Sequence, residues 1–195
     1  MTLFVVFTSF NAWADDEAKL PDNGSGTEAD PYLIATSADW NNLAEYVAAD
    51  NNCKGLFFKM TANIGTTEEP ITKPLGKQVG TNKKTDRRRF AGSFDGADSN
   101  GKPYTLTIAL NTDNDWFYYN KGYCSPFAYT EGATIKNLHV AGTVTTTGPW
   151  ASGLVGSTGD ENNKDEATCT IDKCQISVAL TANYISSDGK YGNHG

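Results

Sequence analysis

The chain contains 195 residues with a formal net charge of −7, nineteen glycines and four cysteines. This length is enough for one domain with a buried core, and the negative charge excludes nucleic acid and anionic membranes as the main partners. The many glycines, threonines and asparagines, with few helix formers, predict an all-β protein with many turns.

Residues 1–14 carry no charge and end in Ala12-Trp13-Ala14. A short apolar run that ends in this way is typical of a secretory signal, here cleaved after Ala14. The basic segment that opens such signals is absent, so we interpret these residues as the remnant of a signal peptide clipped at its N-terminus; a buried strand is the alternative. The run is too short to span a bilayer, which takes ~20 apolar residues. We therefore expect an exported protein without a transmembrane segment, secreted or on the cell surface.

Residues 15–35 form a linker that leads into a first strand, and the predicted domain occupies residues 36–195. The domain opens with a helix, because Thr36 and Asp39 have the spacing of a capping box. Apolar residues follow at the spacing of one helix face, namely Trp40, Leu43, Ala44 and Val47. We expect this helix to cap the first layer of the domain; a partner-binding helix is the alternative.

Two segments in the middle of the chain each have a structural and a functional interpretation. The basic run 83–89 is either a polyanion-binding patch or a solvated loop, and the acidity of the chain favours the loop. Residues 113–119 mix acids with aromatics, as carbohydrate-binding surfaces often do, although such clusters more often pack around a loop. The candidate ligand-binding residues in this segment are Trp116, Tyr118 and Tyr119.

The stretch 125–180 contains the same pattern twice. In each copy a Thr-Ile pair is followed by alternating small or apolar positions, which are Leu138, Val140, Gly142 and Val144 in the first copy and Cys174, Ile176, Val178 and Leu180 in the second. Such self-similarity is typical of stacked repeats that share one core. We therefore expect parallel strands that place Val140 beside Ile176 and Leu138 beside Cys174. Cys169 and Cys174 should then be buried, and an apolar strand edge should be exposed near residues 178–184.

Several segments together resemble one family. Gly153-Leu154-Val155-Gly156 is similar to the GLUG motif of bacterial surface and secreted proteins, and residues 132–140 resemble the strand that follows it. Residues 90–96 and 26–34 resemble the leader attached to such repeats in exported proteins of gut-type (Bacteroidetes-like) bacteria. The first repeat departs from the motif, with Ser125-Pro126-Phe127-Ala128 in place of its two glycines.

The resemblance implies a right-handed parallel β-helix (a solenoid), with the N-terminal amphipathic helix as its cap. It also implies a secreted or surface-attached protein, as in adhesins and in accessory modules of larger proteases, with no activity of the module itself. The final residues look like the start of another repeat, so we expect the chain to be truncated at its C-terminus and to belong to a longer multi-repeat chain.

Two functions remain open from the sequence. The first is a non-catalytic adhesive or structural module whose flat polar face binds glycan or protein ligands on host or polysaccharide surfaces. The alternative is a polysaccharide-cleaving β-helix enzyme, a lyase or glycosidase, which needs paired carboxylates across a groove or a basic residue beside a calcium site.

The sequence favours the binding module, because the residues that could carry catalysis are scattered. We expect the acids to lie in solvent-exposed turns with ordinary pKa values, and neither His139 nor His194 lies near a nucleophile motif. The cysteines lack zinc-site spacing. We therefore predict no catalytic, cofactor-binding or metal-ligating residue. The acids concerned are Asp95, Asp113, Asp115, Asp160 and Asp165.

Overall fold

The structure is a computed structural model, and it describes residues 19–80, 86–113, 123–148, 150–159 and 168–183. In these ranges the chain forms one α-helix, α1 (Ser37–Ala48), and twelve strands. The strands are β1 (Tyr32–Ile34), β2 (Phe57–Met60), β3 (Lys77–Gln78), β4 (Arg87–Arg88), β5 (Ser93–Asp95), β6 (Tyr104–Asn111), β7 (Phe127–Thr130), β8 (Thr134–Lys136), β9 (Leu138–Thr146), β10 (Val155–Thr158), β11 (Thr170–Asp172) and β12 (Gln175–Ala182).

The strands lie in four sheets within the described residues. Three sheets are parallel, with strand orders β1-β2-β5-β8-β11, β12-β9-β6 and β10-β7, and the fourth is the antiparallel pair β3-β4. The predicted parallel pairing of the two repeats is confirmed, because Ile176 lies opposite Val140. Gln175 lies opposite His139 in the same register, which places Cys174 beside Leu138 as predicted.

The predicted fold class, an all-β right-handed parallel β-helix, is wrong. The structure is mixed, with 9% helix, 43% strand and several small, separate sheets of both parallel and antiparallel type. Period-two alternation in the sequence identifies buried strand faces and their neighbours. It carries no information on whether neighbouring sheets join into one continuous winding, and it did not indicate the antiparallel pairing of Lys77–Gln78 with Arg87–Arg88.

Helix α1 is confirmed at its predicted position. The Asp39 N–H donates to Thr36 Oγ1 at 3.1 Å and the Thr36 N–H donates to Asp39 Oδ2 at 2.9 Å, which completes the capping box. The apolar face is fully buried, and the Trp40 indole N–H donates to the Lys73 carbonyl at 2.8 Å. Because this face lies in the core, α1 has no apolar side left for a partner. No helix in the described residues has the length and apolarity needed to cross a bilayer.

An aromatic cluster joins α1 to the sheets. The rings of Phe94 and Phe127 each meet Trp40 edge-on with centroids 5.7 Å apart, and Phe90 lies 5.9 Å from Phe127. All four side chains are fully buried, and burial of this kind contributes about 25 cal/mol per Å² of apolar surface. The cluster fixes β7 against the segment that ends at Phe90. Both segments contribute residues to the candidate site described next.

Candidate binding surface

A pair of stacked aromatic rings lies on the surface beside β7 and β10. Cys124 forms a parallel bridge with Ala151, and the Cys124 N–H donates to the Trp150 carbonyl at 3.2 Å. This register places Tyr123 beside Trp150, and their rings stack with centroids 4.8 Å apart and planes at 21°. Trp150 remains 44% exposed. One face of the indole is therefore covered by Tyr123, and part of its remaining surface is open to solvent.

Gly156, the last glycine of the Gly153–Gly156 motif, has no side chain and therefore lets the segment that carries Tyr123 pack closely against it. A Cβ at this position would lie 2.5 Å from Tyr123 Cβ and 2.6 Å from Ser125 Oγ. Real Cβ atoms do not approach other atoms so closely, so any larger residue would displace Tyr123. The glycine is thus explained by the close approach of the segment that carries Tyr123.

The stacked pair continues into a third ring and a cation. Tyr129 meets Tyr123 edge-on with centroids 5.5 Å apart, and the Arg87 guanidinium lies 5.4 Å from the centre of the Tyr129 ring, within cation–π range. The Phe90 N–H donates to the Tyr129 carbonyl at 2.9 Å, which aligns the Arg87 segment with β7. Burial raises the pKa of Tyr129, so this phenol stays neutral. We call Trp150, Tyr123, Tyr129 and Arg87 the aromatic platform.

Positive charge is concentrated next to the platform. In the antiparallel register Lys77 lies opposite Arg88 and Gln78 lies opposite Arg87, and Arg89 follows directly. Arg88 forms an ion pair with Asp50 at 3.3 Å. These two short strands and Arg89 therefore form a positively charged patch in a protein whose net charge is −7. Like charges directly opposite each other in a sheet repel.

The sequence-based candidates have different outcomes. Trp116, Tyr118 and Tyr119 lie outside the described residues. Within the basic run 83–89, residues 83–85 also lie outside them, and the remainder contains β4. Tyr123 and Trp150 were missed because they are distant in sequence, whereas the predicted candidates are aromatics that are close together in sequence. The repeat offset of 28 residues between Phe127 and Val155 maps Tyr123 onto Ala151, one position from Trp150, so it would have indicated their neighbourhood but not their pairing.

A second polar arrangement lies on the sheet formed by β6, β9 and β12. His139 Nδ1 is 3.1 Å from Thr105 Oγ1, and His139 Nε2 is 3.1 Å from Ser177 Oγ. Both ring nitrogens therefore have a hydroxyl partner. The absence of a nucleophile motif near His139 in the sequence did not indicate this contact, because parallel pairing brings together residues that are 38 positions apart.

The acids lie in several different settings. Burial alone would raise the pKa of Asp95, but hydrogen bonds from the Asn137 amide and the Ala97 N–H, with the Lys136 ammonium, outweigh it and lower the pKa. The expectation of ordinary values is therefore wrong for Asp95. Asp113 accepts a hydrogen bond from Thr147 Oγ1 at 3.4 Å, and Asp115, Asp160 and Asp165 lie outside the described residues.

The cysteines are free thiols. Burial raises the pKa of Cys53 and of Cys124 to about 12, so both remain protonated. Cys169 and Cys174 are only half-buried against the core, less than expected, and burial raises their pKa as well. Among the described residues, no three or more His, Cys, Asp or Glu side chains lie close enough together to hold a metal ion.

The fold and the surface define a protein with parallel sheets and an aromatic platform beside a basic strand pair, in which Trp150 is exposed and Tyr129 is buried. No family model, curated protein or solved structure matches the chain. The resemblance to GLUG-motif proteins therefore stays a prediction, and the function is argued from the platform.

Proposed function

We propose that the chain is a non-catalytic module of an exported protein, secreted or at the cell surface, and that it binds a glycan or protein ligand. The observation that carries the proposal is the solvent-exposed stack of Trp150 on Tyr123. A glycan is the better fit of the two ligands, because the apolar face of a sugar ring matches a flat aromatic surface. The charge-free run of residues 1–14 supports export.

The energetics of the stack favour a binding role. An exposed indole leaves apolar surface in water, which costs about 25 cal/mol per Å², and a ligand that covers the ring removes this cost. Tyr123 is held by Gly156 and Tyr129, so the ring beneath the indole is already in position. Little side-chain entropy is then lost on binding. Each sugar contact is weak, and several along one polymer add strength.

The alternative is a polysaccharide-cleaving enzyme, and the contact between His139 and Ser177 is the observation that favours it. A nucleophile needs a base within hydrogen-bond reach. Here the other ring nitrogen faces the neutral hydroxyl of Thr105, which stabilises an imidazolium less than a carboxylate does. Asp95, whose pKa is lowered, is poorly suited to donate a proton. Binding is therefore the better-supported function.

The test compares Trp150→Ala with Leu180→Ala on a glycan array and then by calorimetry. Leu180 is 53% exposed, so its truncation removes a similar exposed apolar side chain from another surface. We expect Trp150→Ala to weaken binding about tenfold or more, as truncation of an aromatic anchor does, and Leu180→Ala to leave it unchanged. Equal binding by both variants would contradict the proposal. New reducing ends released from a bound polysaccharide, and lost in Ser177→Ala, would favour the enzyme.

A further inference from the structure

We propose that the aromatic platform selects acidic sugars, those that carry a carboxylate or a sulfate, and that Arg87 contacts the anionic group. This inference rests on the proposed function and names its ligand class. The sugar ring would stack on Trp150 while its anion reaches toward the basic end of the platform.

The charge distribution is the first argument. Among the described residues, β3, β4 and the position after them bring together Lys77, Arg87, Arg88 and Arg89, with Lys77 directly opposite Arg88. Facing cations destabilise a sheet pair, and the Asp50 carboxylate that pairs with Arg88 is itself 71% exposed. An anion bound beside these strands would be attracted by these four cationic side chains. The patch thus has an electrostatic reason to hold a negative ligand although the whole protein is acidic.

The position of Arg87 is the second argument. Its guanidinium lies over the ring of Tyr129, and its Nε is buried without a hydrogen-bond partner. The side chain therefore gives up no internal hydrogen bond at Nε when it turns toward an anion. A guanidinium offers a carboxylate or sulfate two parallel N–H donors, and such charge-assisted pairs are stronger than neutral ones. Among the described residues, Arg87 lies directly over a ring of the platform, 5.4 Å from the centre of Tyr129.

The continuity of rings and charge is the third argument, and it separates acidic sugars from small anions. Arg87, Tyr129, Tyr123 and Trp150 form an unbroken row in which each member contacts the next. A free phosphate would use only the basic end, and a neutral sugar only the aromatic end. A sugar chain with anionic groups uses both. Single-stranded nucleic acid also combines stacking and charge, but the net charge of −7 opposes a long polyphosphate.

The experiment uses the full 195-residue chain and two polymers that differ only in charge, polygalacturonate and its methyl ester. A second pair, heparin and its desulfated, re-acetylated form, differs in sulfate while both members keep their carboxylates, so it tests the contribution of sulfate alone. Affinities are measured by calorimetry at two salt concentrations for the parent chain, Arg87→Gln, Arg87→Lys and Trp150→Ala. Lys102→Gln, in the turn before β6, removes the same charge elsewhere. Near-ultraviolet circular dichroism checks that each variant is folded.

We expect the parent to bind at least one polymer about tenfold or more tightly than the partner that lacks its carboxylate or sulfate charge, as a charge-assisted contact would give. Arg87→Gln should abolish that preference, Arg87→Lys should keep part of it, and Lys102→Gln should leave it intact. Trp150→Ala should weaken binding of both polymers.

The outcomes separate the two proposals. Equal binding of acidic and neutral polymers, lost in Trp150→Ala, would overturn the acidic preference and leave the glycan-binding function standing. A preference unaffected by Arg87→Gln would place the anion elsewhere and overturn the inference. If single-stranded DNA binds as tightly as polygalacturonate, attraction between opposite charges alone explains the binding. That result would also overturn the inference. No binding of any polymer would overturn the inference, and no binding on the neutral array as well would overturn the function.

Discussion

At the scale of single residues, the corner that Asp95 and Asn137 form shows how a local network fixes a protonation state. Asn137 has φ +54° and donates its side-chain amide to Asp95 Oδ1 at 2.9 Å, and Lys136 Nζ lies 3.5 Å from Asp95 Oδ2. Each of these contacts favours the charged carboxylate, and together they outweigh its partial burial. The network ties β5 to the turn between β8 and β9, so it should contribute to stability in a pH-dependent way.

We predict that Asp95→Asn lowers the free energy of unfolding by about 1–2 kcal/mol at neutral pH, since hydrogen bonds to a charged acceptor are lost. Because the pKa is depressed in the folded state, the contribution is present above the unfolded value of about 3.9. It is lost as the pH falls through the folded value. Urea unfolding of parent and variant from pH 7 to pH 3 measures this. The difference in the free energy of unfolding between the parent and Asp95→Asn should shrink in acid. The control Glu28→Gln, at an exposed position, should differ little from the parent at any pH. A difference for Asp95→Asn that stays constant with pH would contradict the proposed role of the Asp95 carboxylate.

At the scale of elements, β9 depends on one glycine in its interior. Gly142 has φ +116°, and a Cβ there would lie 2.0 Å from the Ile108 carbonyl oxygen of β6. The inward face of β9 was predicted from its alternation, and Leu138, Val140 and Val144 are indeed buried. Gly142 fitted the same alternation as a small inward residue. The positive φ of Gly142 was not predictable, because backbone conformation leaves no period in the sequence.

We predict that Gly142→Ala destabilises the protein by at least about 3 kcal/mol, since it combines a steric clash with an unfavourable φ. Gly101→Ala is the matched control. Gly101 also has a positive φ, +79°, but a Cβ there meets nothing within 4 Å. Its cost should be about 1 kcal/mol, the conformational part alone. Thermal and urea unfolding of both variants give the comparison, and equal losses would show that the contact with Ile108 does not matter.

The sequence predicted local features better than it predicted assembly. Helix α1 and the pairing of Val140 with Ile176 follow from caps and alternation, which are encoded by neighbouring residues. The separate sheets and the platform are not local. Trp150 meets Tyr123 only because two segments align in parallel. The exposure of Trp150 depends on which other segments pack against its ring, and the local sequence does not specify these contacts.

At the scale of the whole molecule, the outermost strand is unlike the others. Ile176 and Leu180 of β12 are 47% and 53% exposed, and Ile171 of β11 is 50% exposed. Of these residues only Leu180 lies in the range 178–184, where exposure was predicted, and Val178 in that range is partly buried. The equivalent positions Val140 and Val144 in β9 are buried. In the described sheet, β12 pairs on one side only, with β9. Its eight residues contain no charge and no proline, the usual devices that prevent sheet edges from associating.

We therefore predict that the 195-residue chain self-associates with rising concentration through β12. Ile176→Lys and Leu180→Lys should shift it toward monomer, because a charge must then be desolvated at each contact. Asn100→Lys, in the exposed turn before β6, adds the same charge away from this edge and should not change the association. Sedimentation velocity over a hundredfold concentration range measures the effect. If the parent chain stays monomeric throughout, or if Asn100→Lys gives an equal shift toward monomer, the exposed edge does not drive association. A shift confined to the β12 variants would locate the contact on Ile176 and Leu180.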